Sequence, residues 1–225
     1  MRPEVREGGP DGRSFAVTAV PTSYRPLKRR ARIASLMLGM SGMAAFSTLL
    51  VNAEVLSLLA EARAGRVLRD RLEMADSVAT LMAVFSMVIA AGAAAAFSVW
   101  LYRALGNLQA AGSPARYTPG YAVWAFFIPG LNLVVPVRAV RDAWASPPRF
   151  LGLWWAAWIL CNVLSWTSAA MGFRHDYENG LAIGIAGDAV TIVAAVLAIR
   201  VVRGLSERLD RQKDWDTQSR SSERP

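Results

Sequence analysis

The stretch TPGYAVWAFFIPGLNLVVPVRAVRDAW, Thr118 to Trp144, decides how this chain is built. It is apolar enough to enter a bilayer, yet it carries Pro129-Gly130, Asn132 and Pro136 where a spanning helix needs unbroken hydrogen bonding. A proline inside a helix removes a donor and clashes with the preceding turn, at a cost of about 3 kcal/mol. Broken backbone at membrane depth persists only where protein or water satisfies the freed groups. The apolar core, Tyr121 to Val137, is also short for a crossing. The segment therefore either crosses as a kinked helix, dips into the membrane and returns, or lies along it.

The flanking sequence sets the frame for that choice. Four runs lack charge for most of their length: Ile33–Val51, Val78–Leu101, Leu151–Gly172 and Leu181–Ile199. Each approaches the ~20 residues that cross about 30 Å of hydrocarbon. A soluble core helix of that length would carry a polar face, and these carry none. The fold class expected is all-α: a polytopic membrane protein with four transmembrane helices plus a proline-broken re-entrant or interfacial segment over 121–144. The membrane domain is drawn over 25–203. Residues 1–24, rich in Gly, Pro and charge, are expected to be a disordered tail, and so is the charged stretch 204–225.

Charge chooses between crossing and dipping. The net charge is +8, almost all of it arginine, since Lys28 and Lys213 are the only lysines. The positive charge sits beside the apolar runs, where membrane topology places it, so a nucleic-acid partner is not expected. If Thr118–Trp144 does not cross, one side of the membrane holds fifteen basic residues: Arg25, Lys28, Arg29, Arg30 and Arg32, then Arg103, Arg116, Arg138, Arg141 and Arg149, then Arg200, Arg203, Arg208, Arg211 and Lys213. The other side holds five: Arg63, Arg66, Arg69, Arg71 and Arg174. If the stretch crosses, the division becomes eight inside against twelve outside, which breaks the positive-inside rule. The four-crossing topology follows, with both termini cytoplasmic. The arginine bias, with the alanine and glycine content, looks like the codon usage of a GC-rich bacterial genome, so a bacterial cytoplasmic membrane is the expected location.

Within the stretch, the breaks are assigned to Pro119, Gly120, Pro129, Gly130 and Pro136, with the Pro129-Gly130 turn deepest. After Pro136 a short amphipathic helix runs to Trp144 and pairs Arg138 with Asp142 at i and i+4. Arg103, Asn107, Asn132, Arg138 and Asp142 all fall near the cytoplasmic face. They either satisfy one another and fix the segment against the second helix, or form a basic pocket for an anionic lipid headgroup.

The polar and aromatic signals here recur in a fixed order: Tyr102-Arg103 with Asn107, Thr118-Pro119-Gly120, Val123, Phe127-Ile128-Pro129, Asn132-Leu133, Pro136, and an acid before Trp144. In this order the chain resembles the bacterial domain-of-unknown-function 4328 family. The motif lies within Tyr102–Trp144 and the layout extends from about Ile33 to Arg203. Val137 stands where an aromatic is common in such proteins, and Asp142 where glutamate is usual. The resemblance implies a small multi-pass membrane protein with no agreed activity.

The remaining chemistry is sparse. Asp188 is the only acid within an expected span. It reads either as a proton or cation site or as a buried hydrogen-bonding group facing Asn162, Ser165 or Thr167. Gly180 and Gly184 form a small-xxx-small pair for close helix packing. His175 is the only histidine and Cys161 the only cysteine, which is too few ligands for a metal site. No metalloprotease, Walker, dinucleotide or serine-elbow motif occurs, so neither catalysis nor a cofactor is expected. Two functions stay open. One is a non-enzymatic interaction or lipid-contact module built on 121–144, with membrane lipids, a second copy or another membrane protein as partner. The other is a small transporter or channel subunit in which Asp188 and the re-entrant segment line a pathway.

Overall fold

The computed structural model describes residues 26–66, 69–112, 116–128, 130–144, 146–174 and 176–222, with side chains as far as 211. The N-terminal tail (1–24), Pro129 and His175 lie outside the described residues. All regular structure among the described residues is helical: α1 (Lys28–Arg63), α2 (Arg69–Ala110), α3 (Pro119–Trp124), two short 3₁₀ turns (Ala125–Phe127 and Leu131–Leu133), α4 (Val135–Asp142), α5 (Phe150–Phe173) and α6 (Tyr177–Ser222).

Four of these, α1, α2, α5 and α6, are long and apolar enough to cross a membrane. Each contains one of the four expected runs, but α1, α2 and α6 outrun theirs because the charged flanks continue the helix. α1 continues as far as Arg63 and stops where Gly65 adopts φ +69°, with Gly65 N–H donating to Ala62 O at 2.9 Å and Arg66 N–H to Glu61 O at 3.1 Å. That is a glycine C-cap, which satisfies carbonyls the helix would otherwise leave open. Gly112, at φ +72°, ends α2 in the same manner. The outward faces carry large apolar side chains, among them Leu81, Met87, Leu153 and Trp166. A monomer in water does not expose an apolar belt of that extent.

The helices stand in the spatial order α2, α1, α6, α5, which is not the chain order. Small residues make the three contacts close. A Cβ on Gly42 of α1 would lie 3.3 Å from Ala195 of α6, and a Cβ on Gly187 of α6 would lie 3.3 Å from Leu164 of α5. Thr48 of α1 and Ser86 of α2 hydrogen-bond at 2.7 Å. Gly180 and Gly184 pack on Ser168 of α5, so the small-xxx-small pair serves a contact within this chain. Close approach of small residues is how helices gain dispersion contacts where lipid supplies no hydrophobic drive.

This packing also settles where the broken stretch goes. Arg63 at the end of α1 bridges to Glu178 at the start of α6 at 2.8 Å. Leu27 and Ala31 at the start of α1 share a core with Val201, Val202, Leu205 and Leu209 of α6. The end of α2 and the start of α5 meet that same core through Leu101, Leu105, Leu151 and Trp154. The chain therefore leaves α2 and enters α5 at one end of the bundle, and the intervening stretch bends back on itself there by 110°.

One expectation changes here. The charged stretch from 204 is not without structure: α6 is helical to Ser222, and Leu205, Ser206 and Leu209 are buried against the bundle. Charges at i, i+3 and i+4 tolerate a helix, so a charged composition did not by itself mean loss of structure. Trp154 and Trp155 are only 2% and 7% exposed and belong to the core.

Candidate functional site

Between α2 and α5 the main chains stay apart, and the broken segment fills one end of the gap. Its two halves, Pro119–Phe127 and Leu131–Asp142, are bent by 110°. The bend centres on Gly130, whose φ of +83° and ψ of −49° lie in the sparse region that L side chains avoid. The neighbouring Pro129 lies outside the described residues.

The other residues read as breaks act as helix starters. Thr118 caps α3 by accepting from Tyr121 N–H at 3.3 Å, with Pro119 at the first helical position and Gly120 behind it. Pro136 likewise sits in the first turn of α4. A proline is tolerated there because the missing N–H had no intrahelical partner to lose. The segment is thus two short, properly begun helical halves with Gly130 at positive φ between them. α4 is amphipathic as expected: Val135, Pro136, Ala139 and Val140 are buried, and Arg138, Arg141 and Asp142 are exposed.

Three contacts fasten the segment from behind. Trp155 Nε1 donates to Leu133 O at 3.0 Å, satisfying a carbonyl freed by the bend. Arg208 of α6 donates to Ala143 O, the end of α4, at 2.9 Å. Trp144 lies against Gly204 so closely that a Cβ there would sit 2.9 Å from its ring. Phe126 anchors the first half by edge-on contacts with Phe97, Trp155 and Trp158, at centroid distances of 5.9, 6.3 and 5.9 Å. In the opposite direction Tyr121, Trp124, Phe127, Ile128, Leu133 and Val134 are exposed, Trp124 and Phe127 at 68% and 61%.

The expected polar cluster does not assemble. No hydrogen bond or ion pair among the described residues joins Arg103, Asn132, Arg138 and Asp142 to one another, and the Arg138–Asp142 pair is not formed. Both of those side chains point into solvent. Asn107 is buried, 6% exposed, near the end of α2. Neither Trp155 nor Arg208 was marked by sequence reasoning, because each fitted a commoner role as interfacial aromatic or tail charge.

Asp188 accepts from Asn52 Nδ2 of α1 at 3.4 Å rather than from α5. The three α5 candidates bond elsewhere or not at all to it: Asn162 and Thr167 donate to the carbonyls four residues back. Above the bent segment, a cleft of about 370 Å³ is lined by Phe126, Phe127, Trp154, Trp158, Asn162 and Thr191 among others, with small alanines from α2 and α6. Asp188 is not part of its lining. No group of three His, Cys, Asp or Glu side chains among the described residues is placed to hold a metal ion.

No curated protein and no solved structure matches the chain. A family model, the domain of unknown function DUF4328, matches residues 63–207, which takes in the bent segment, both of its flanking helices and most of α6. The aromatic, proline and asparagine order of Tyr102–Trp144 and a match over more than half of the chain agree: this protein belongs to the DUF4328 family.

Proposed function

We propose that the protein is a non-enzymatic, lipid-contacting module of a bacterial cytoplasmic membrane, with both chain ends on the cytoplasmic side and the bent segment seated in the inner leaflet. The observation that carries this reading is the segment's continuous apolar outer face, from Tyr121 to Val134, fastened from behind by Trp155 and Arg208. An apolar face of this kind is stable only against lipid or another apolar surface. The fifteen-to-five division of basic residues supports the sidedness. The segment wedges between α2 and α5 and keeps their inner-leaflet ends apart, leaving the 370 Å³ cleft above it open to lipid chains.

The transport reading rests on Asp188, an acid within a span. Asp188 bonds to Asn52 and does not line the cleft above the segment, which weighs against a shared pathway. The test is a bimane probe at Leu133 in a Cys161→Ser background, reconstituted with lipids brominated along the chain. Quenching by the brominated lipids and not by aqueous iodide is expected. Iodide quenching at Leu133, or saturable flux that Asp188→Asn abolishes, overturns the proposal.

A further inference from the structure

A second groove, about 1100 Å³, runs along α1 with walls from α2 and α6, away from the bent segment. Its α1 lining follows one helical stripe, Lys28, Arg32, Leu36, Met40 and Met43, so one end is charged and the rest is apolar. Phe85 and Ile89 of α2 extend the apolar part. Arg203, Glu207 and Asp210 of α6 complete the charged mouth. The rise from Arg32 to Met43 is roughly 16 Å at about 1.5 Å per residue, close to the depth of half of an approximately 30 Å hydrocarbon core.

Two further observations indicate an occupant. Ser35 lines the groove where charge gives way to apolar surface, and its hydroxyl is buried with no hydrogen-bond partner, the residue being 7% exposed. A buried hydroxyl left unsatisfied is costly and calls for an acceptor or donor. At Gly39, one turn further in, an added Cβ would meet nothing within 4 Å, so the groove is open along its floor.

The charge pattern specifies the headgroup. Three cations, Lys28, Arg32 and Arg203, face two carboxylates, Glu207 and Asp210. Among the described residues no ion pair joins Lys28, Arg32, Arg203 or Glu207 to one another. A purely anionic headgroup would satisfy the cations and be repelled by the Glu207 carboxylate. A group with a phosphate and a neighbouring ammonium meets both signs, and arginine is suited to the phosphate.

We infer that this groove binds one phospholipid with a phosphoethanolamine headgroup, its phosphate on Arg32, Arg203 and Lys28, its ammonium toward Glu207, and an acyl chain over Gly39 toward Met43. The site shares no residue with the bent segment and stands whether or not the segment contacts lipid.

The experiment uses the full chain, purified and delipidated in detergent, then offered phosphatidylethanolamine, phosphatidylglycerol or phosphatidylcholine of identical chains and read by native mass spectrometry. One retained phosphatidylethanolamine, bound in preference to both others, is expected. Arg32→Ala or Arg203→Ala weakens retention about tenfold, the loss of one charge-assisted hydrogen bond. Glu207→Gln moves the preference toward phosphatidylglycerol. Gly39→Leu removes retention while helicity and melting temperature hold, because the new side chain fills open groove. Phosphatidylglycerol bound as tightly as phosphatidylethanolamine by the wild type overturns the headgroup assignment. Unchanged retention in Gly39→Leu, or equal competition by free phosphoethanolamine, overturns the site.

Discussion

Gly130 and Gly120 show how differently one residue type serves the same short segment. Gly130 holds φ +83°, where any Cβ is strained, whereas Gly120 is helical with open space about it. Gly130→Ala should destabilise the protein by about 1–3 kcal/mol, the usual cost of a sparse backbone conformation. Gly120→Ala should be neutral or stabilising by up to about 1 kcal/mol, the helix-propensity difference. Reversible unfolding in mixed micelles checks both, and equal effects would show that the bend does not centre on Gly130. The break at Gly130 was legible, since a glycine after a proline in an apolar run signals a turn. Pro119, Gly120 and Pro136 were legible as interruptions but not as helix starts, because a proline's effect depends on its helical position, and only the fold reveals that each lies in a first turn.

At the level of elements, the segment is held by groups that belong to its neighbours. Trp155→Phe keeps most of the ring packing and removes the donor to Leu133 O. A loss of about 1–3 kcal/mol is expected for the carbonyl left without its partner. Hydrogen exchange should also rise locally at Val134 and Val135, which follow that carbonyl. Exchange unchanged there would mean that Trp155 supports the bundle and not the segment. The amphipathic period of α4 was readable, because Val135, Pro136, Ala139 and Val140 alternate with charge at helical spacing. The anchors were not. Trp155 is paired with a carbonyl 22 positions away and Arg208 with one 65 away, and no local pattern encodes such partners. For the same reason Asp188 was matched to α5 when its partner, Asn52, lies on α1.

Over the whole molecule, the four long apolar helices were legible as four uncharged runs, and the charge division predicts that the bent stretch stays on one side, because moving one segment across the membrane transfers every basic residue after it. In the Cys161→Ser background, cysteines placed at Gly112 and Ser146 should react with an impermeant thiol reagent from one side, and a cysteine at Asn179 from the other. Labelling of 112 and 146 from opposite sides would contradict the shared end at which α2 and α5 meet the core. Lateral order was not legible, since four apolar runs carry no mark of which neighbours which; contacts such as Gly42 to Ala195 set it. That order places the last helix between the first and the fifth. While the nascent chain is still emerging, α5 is tied to the hairpin of α1 and α2 chiefly at one end, through the bent segment and the ring contacts of Phe97. Completion waits for the C-terminal helix to slot in, so a stop codon before Gly180 would yield two loosely tethered halves open to degradation, not a slightly shortened protein.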